Sequence, residues 1–183
     1  MSLNDRLSRS DTWYDLLHLG VEMMVGAEGM AALASPLPES LPRRYGSPTA
    51  QGLAWRAGRA AWPWLYRHHQ NVIGLDEIEF WLLPLRRRLS QGLHTTVAFL
   101  QSCQRWALTL DETPAEWHLE VRQVPPPHPD PVHLWCWFLG GLVQEFLAWA
   151  GGARVYPLRA LTCAAAPSET TPCRIVFGRA PLD

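Results

Sequence analysis

Lysine is missing altogether: the 16 basic side chains of this 183-residue chain are all arginine and face 17 acidic ones, for a net charge of −1. A chain so balanced has no global field with which to capture nucleic acid or an anionic membrane surface. The arginine-only usage reads as compositional bias. No stretch approaches the roughly 18 uninterrupted apolar residues of a membrane span, and the opening MSLNDRLSRS holds no apolar signal core. A cytoplasmic protein is therefore expected, with no membrane insertion and no nucleic-acid partner. Cysteine is sparse and scattered, at 103, 136, 163 and 173. In a reducing compartment such residues are thiols or metal ligands rather than a disulfide framework. Catalytic signatures are missing too: there is no G-x-G-x-x-G after a strand, no phosphate loop, and no Ser, His and Asp set at recognisable spacing. Binding is expected rather than catalysis, and no catalytic residue is assigned.

What is present is apolar bulk. Hydrophobic residues make up 48% of the chain and 10 residues are Trp, enough for one domain, 1–183, with a substantial core. The last third is the most legible part. Trp135, Leu139, Leu142, Phe146 and Trp149 recur at steps of three and four, and Phe138, Val143 and Leu147 widen the stripe. This predicts a helix from Pro131 to Trp149 buried on most sides. Asp130 would cap it, Pro131 would open it, and Gly151 would end it in a left-handed turn. Gly140 and Gly141 lack Cβ atoms, so another backbone or a ligand can come close there. Next, Arg154 to Cys163 and Cys173 to Phe177 read as a β-hairpin, with Pro157 placing the first strand at an edge or a bulge.

The run Cys136-Trp137, Gly141, Gly152, a strand closing on Cys163, and Cys173-Arg174-Ile175-Val176 resembles the C-terminal half of the 4-vinyl reductase domain family. Upstream, GLAWRAGRAAWPWLY (Gly52 to Tyr66) is similar to that family's Gly- and Ala-rich second helix. The family comprises small hydrocarbon-binding proteins, a factor of bacteriochlorophyll synthesis and sensory domains of phenol-responsive transcription activators. Its fold is shared by TRAPP vesicle-tethering subunits.

Taken from the start, Ser10 or Asp11 can cap a first helix running to about Ala34, with Met23, Met24 and Met30 as adaptable fillers. Pro36, Pro38, Pro42 and Pro48 predict an extended loop. A second helix, Pro48 to His69, carries a strip of Ala54, Ala57, Gly58 and Ala61, with a bend expected at Pro63. In the third, Leu75, Ile78, Leu82, Leu85, Leu89, Leu93, Val97 and Leu100 predict a long core helix, bent or interrupted near Pro84. Arg86, Arg87 and Arg88 read as a solvated collar. Trp106, Leu108 and Leu110, then Trp117, Leu119 and Val121, alternate as an antiparallel hairpin. The sum is an α+β domain with helices packed on one face of a small antiparallel sheet, the architecture the resemblance also implies.

In the phenol-responsive sensory domains a zinc ion is held by a helix Cys, a Glu and two hairpin Cys. The resemblance places Cys136, Cys163 and Cys173 at the three thiolate positions. Arg159 and Ala160 fall where the Glu would be, so a fourth ligand must come from elsewhere. His133, one turn before Cys136 on the same helix face, is the local candidate, with water or Glu145 behind it. Such zinc would be structural, and the alternative is that the cysteines are buried and inert. The resemblance also implies a hydrophobic or aromatic small molecule, a tetrapyrrole precursor among the candidates. Trp62, Trp64, Phe80, Trp135, Trp137 and Phe138 would be the cavity walls, and the bland reading of each is ordinary core. The alternatives are a ligand-free dimeric scaffold, a homodimer through the first two helices, and an accessory factor in (bacterio)chlorophyll synthesis.

Overall fold

Two helices cross at the centre with their backbones in contact. The computed structural model describes residues 13–31, 33, 37–104, 107–123, 133–163 and 172–182. In chain order the elements are α1 (Trp13–Ala31), α2 (Leu37–Tyr45), α3 (Ser47–Ile73), α4 (Ile78–Leu82), α5 (Leu85–Gln104), β1 (Ala107–Glu112), β2 (Glu116–Gln123), α6 (Leu134–Ala150), β3 (Leu158–Thr162) and β4 (Cys173–Gly178). The crossing pair is α3 and α6. A Cβ built on Gly58 would lie 1.9 Å from the Phe138 carbonyl oxygen, and one built on Gly141 would lie 1.9 Å from that of Trp55. Only glycine fits at either place. The other side of the small-residue strip serves α1, where a Cβ on Gly20 would meet the Ala57 oxygen at 2.2 Å. Ala50, Ala54, Ala57 and Ala61 are all buried, so α3 is sandwiched between α1 and α6. The small faces of the first two predicted helices are thus consumed inside the chain. Met23 and Val25 remain exposed on α1.

The sheet is antiparallel throughout, in the order β1-β2-β4-β3. Period-two alternation sends Trp117, Leu119 and Val121 of β2 to the helical layer, opposite Phe177, Ile175 and Cys173 of β4. On the other face Glu120 lies between Arg122 (3.1 Å) and Arg174 (2.9 Å). The α+β class and the single helical layer agree with expectation. Pro157 stands just before β3, which is an edge strand with an irregular register between Leu158 and Ala160.

Several expectations are corrected. The proline-rich stretch is not an extended loop: Leu37–Tyr45 is a helix with Pro42 inside it. Pro38 falls in the first turn, where the missing N–H is of no consequence, and Leu37 and Leu41 are buried. Their burial offsets the one hydrogen bond that Pro42 forfeits. α1 ends at Ala31 and is broken at Gly26 (φ 71°, ψ 172°). α3 continues through Pro63 to Ile73 and closes on the left-handed Gly74. Pro84 does interrupt the third predicted helix, and the short α4 before it is turned so that Phe80 is buried. Ile78 and Leu82, predicted to be core, are 72% and 77% exposed. α6 begins at Leu134; Asp130 and Pro131 lie outside the described residues. Its left-handed stop is Gly152 (φ 73°), followed by Ala153 (φ 63°), and not Gly151. Gly151 is needed for packing instead, since a Cβ there would meet the Leu147 oxygen at 2.6 Å and the Tyr156 ring at 2.7 Å. Among the described residues no helix is long and apolar enough to cross a membrane.

The crossing predicts opposite effects for two glycine substitutions. Gly141→Ala should destabilise the fold by roughly 2–3 kcal/mol, because the opposing atom is backbone and cannot turn aside. Gly52→Ala meets nothing within 4 Å and should stabilise the same fold, by roughly 0.5–1 kcal/mol. Chemical denaturation of both variants checks this, and equal stability would remove the crossing from its central place.

Candidate metal centre

Four side chains from separate parts of the last third meet at one end of α6. His133 is the residue before the helix, Cys136 lies in its first turn, Cys163 follows β3, and Cys173 opens β4. The sheet register explains the hairpin pair: Thr162 stands opposite Arg174, which leaves Cys163 and Cys173 side by side just beyond it. One ligand atom from each of His133, Cys163 and Cys173 lies within 4.8 Å of the others. The Cys136 thiol lies close enough to Cys163 and Cys173 for both to act on it. Cys136 and Cys173 are buried, Cys163 and His133 half-buried, and none of the three cysteines is in a disulfide.

His133 is held in an unusual conformation. Its backbone is left-handed (φ 53°, ψ 45°), and its carbonyl accepts the Cys136 amide at 3.0 Å. A non-glycine residue there carries strain on the order of 1 kcal/mol that the surrounding structure must sustain. From this turn a ring nitrogen of His133 lies within 4.8 Å of the sulfurs of Cys163 and Cys173.

The donor chemistry suits a soft, tetrahedral ion. Thiolate and imidazole nitrogen are the usual set of structural zinc sites, with Zn–S near 2.3 Å, which puts neighbouring sulfurs about 3.8 Å apart. Since no ligand atom of the three-residue group is more than 4.8 Å from another, a contraction of at most about 1 Å would close it on an ion. Without metal, burial pushes the Cys136 thiol well above its ordinary range, and the neighbouring Cys163 and Cys173 push the same way. A thiolate here therefore calls for a cation beside it. Glu145 takes no part: its carboxylate pairs with Arg59 at 2.7 Å.

Three of the sequence-assigned ligands, His133, Cys163 and Cys173, form one group that could hold a metal ion, with Cys136 beside the two hairpin cysteines, whereas the six assigned wall residues divide among different neighbourhoods. Trp62 sits in an aromatic cluster with Phe146 (centroids 5.2 Å), Trp149 (5.6 Å) and Tyr66 (6.4 Å), and Phe80 joins it through Trp149 at 6.2 Å. Trp64 instead stacks on His68 at 4.3 Å. Trp137 meets Trp55 at 6.4 Å, beside the helix crossing. Trp135 and Phe138 are buried on α6. Trp55, not singled out from sequence, packs its ring against Gly140 and near Phe177. Its place at a small-residue crossing is the signal that could have marked it. The Trp62 indole nitrogen is buried with no hydrogen-bond partner among the described residues.

The Cys136 environment carries a pH prediction. In metal-free protein the folded chain keeps this thiol protonated where the unfolded chain ionises it, so stability is full below the ordinary value of 9.0 and falls as pH rises past it. The limiting slope is about 1.4 kcal/mol per pH unit. Denaturation midpoints in chelator between about pH 8 and pH 10 should fall less steeply for Cys136→Ala than for the parent, and parallel profiles would count against the assignment. No protein-family model, curated protein or solved structure matches the chain, so the reading of this centre rests on its own residues.

Proposed function

We propose that the chain is a non-catalytic binding domain in which a structural zinc ion clamps the start of α6 to the β3–β4 hairpin, and whose cargo is a hydrophobic or aromatic small molecule. The grouping of His133 with Cys163 and Cys173, and the place of Cys136 beside the same two cysteines, carry this reading. Zinc with four protein ligands has no open position for substrate, so its work is mechanical. Cys136, Cys163 and Cys173 would supply thiolates, and His133 would complete the set with a neutral imidazole nitrogen. Three thiolates on one ion belong to a reducing compartment, which favours the cytoplasm.

The cargo assignment is supported by the Trp62 cluster. It gathers flat apolar side chains from α3, α4 and α6 around an indole N–H that finds no acceptor among the described residues. A buried donor left free in this way is costly, and a ligand acceptor would relieve it. The second reading, a ligand-free dimeric scaffold, is favoured by one observation: Val72, Ile78, Trp81 and Leu82 are exposed around the end of α3 and α4. Exposed apolar surface of this kind marks association faces.

Mass spectrometry of the protein as purified, under native and then denaturing conditions, separates these readings. One zinc per chain together with a small non-covalent organic mass supports the binding domain. A metal-free and ligand-free dimer supports the scaffold and sinks the proposal. Cobalt substitution provides an independent check of the ligands: thiolate charge-transfer and tetrahedral d–d absorption are expected for the parent. Cys173→Ser should lose most of that absorption, while His133→Ala should keep the thiolate bands and bind more weakly.

A further inference from the structure

Away from the metal centre, a cleft of about 290 Å³ opens between the first turns of α5 and the end of β4. It is lined by Arg86, Arg87, Ser90, Gln91 and Arg179. Three arginines from two distant parts of the chain therefore line one concavity. Arg179 is fixed in place. Its Nη1 donates to the Thr113 carbonyl at 2.8 Å and lies 3.2 Å from Glu112, and its guanidinium covers the Trp117 ring at 5.2 Å. Only 21% of its side chain is exposed.

Charge around the cleft is not balanced. Glu112 is shared among Arg179, the Ser90 hydroxyl, which donates to it, and His94 at 3.4 Å. The side chains of Arg86 and Arg87 have no ion pair or hydrogen bond among the described residues. The first turn of α5 contains no acidic residue, so both arginines stand at the positive end of the helix dipole, where cations are disfavoured. Arg88, by contrast, is turned aside, donating to the Trp81 carbonyl at 3.3 Å and lying over its ring. Counting Arg86, Arg87 and Arg179 against Glu112 gives a local charge of +2.

We propose that this cleft binds a phosphate-type oxyanion, as carried by the phosphate monoester of a small molecule. A phosphate monoester near neutral pH bears a charge close to −2 and presents three acceptor oxygens. Arginine matches such a group with paired donors in a planar fork, and three of them surround it from two sides. The +2 charge of the cleft is thereby neutralised, and the repulsion between the α5 dipole and its own first-turn arginines is relieved. The volume exceeds what one phosphate needs and leaves room for a small organic body. Nothing in this site depends on zinc or on an apolar cargo.

Isothermal titration of the full chain with inorganic phosphate and with phenyl phosphate, in a non-coordinating zwitterionic buffer, tests the assignment. One saturable site per chain is expected, competed by sulfate and little affected by equimolar chloride. Tighter binding of phenyl phosphate identifies an ester as the ligand class; equal binding identifies the free anion. The double variant Arg86→Gln with Arg87→Gln alters only exposed side chains and should weaken binding about tenfold or more without lowering the thermal midpoint. Arg56→Gln, an exposed arginine on α3, should leave binding unchanged. An absent saturable signal, an undiminished affinity in the double variant, or an equal loss in Arg56→Gln would overturn the proposal.

Discussion

Everything else in the molecule is arranged around the contact of α3 with α6. Two helices whose carbonyl oxygens stand where a Cβ would be cannot slide, because any shift brings a side chain into the backbone opposite. That contact sets the direction of α6, and the direction of α6 sets where His133 and Cys136 stand relative to the sheet. The hairpin then needs only its register to bring Cys163 and Cys173 to the same end. The grouping of His133, Cys163 and Cys173, with Cys136 beside the two hairpin cysteines, is thus the outcome of one helix crossing and one strand pairing. The same crossing turns Trp149 and Phe146 toward α3 and α4, where the aromatic cluster assembles.

Much of this was legible from periodicity. The steps of three and four through Leu85, Leu89, Leu93 and Val97, and the alternation of Trp117, Leu119 and Val121, specify element type because each buries one face. The small-residue strip of α3 was legible as a place of close approach, though not as to which helix would come. Proline density misled at Leu37–Tyr45, because the position of a proline within a helix matters more than its frequency. Ile78 and Leu82 fit the helical repeat yet face outward, since the break at Pro84 frees α4 to turn independently of α5. Distinguishing Gly151 from Gly152 required knowing that Tyr156 folds back onto the helix end.

The two candidate sites differ in how they could be read. Cysteines at scattered spacings say little by themselves, and it was the family resemblance that grouped Cys136, Cys163 and Cys173. His133 followed from helical geometry, although the left-handed backbone that holds it did not. The arginine cleft had only half its signal in local sequence. Arg86 and Arg87 read as solvated because nothing nearby in the chain hints at Arg179, which reaches them only after β4 is paired and anchored on Thr113.

The helix crossing also governs how the chain can reach this structure. Gly58 and Gly141 meet only after α4, α5, β1 and β2 have been passed over, so the central contact closes a long loop rather than a local helical hairpin. Loop-closure entropy makes such a contact late, and folds dominated by distant partners form slowly. α1 and α3 can associate early through Gly20 and Ala57, but the apolar face of α3 stays uncovered until α6 arrives. The buried strip of α3 thus stays open to other partners until α6 is in place.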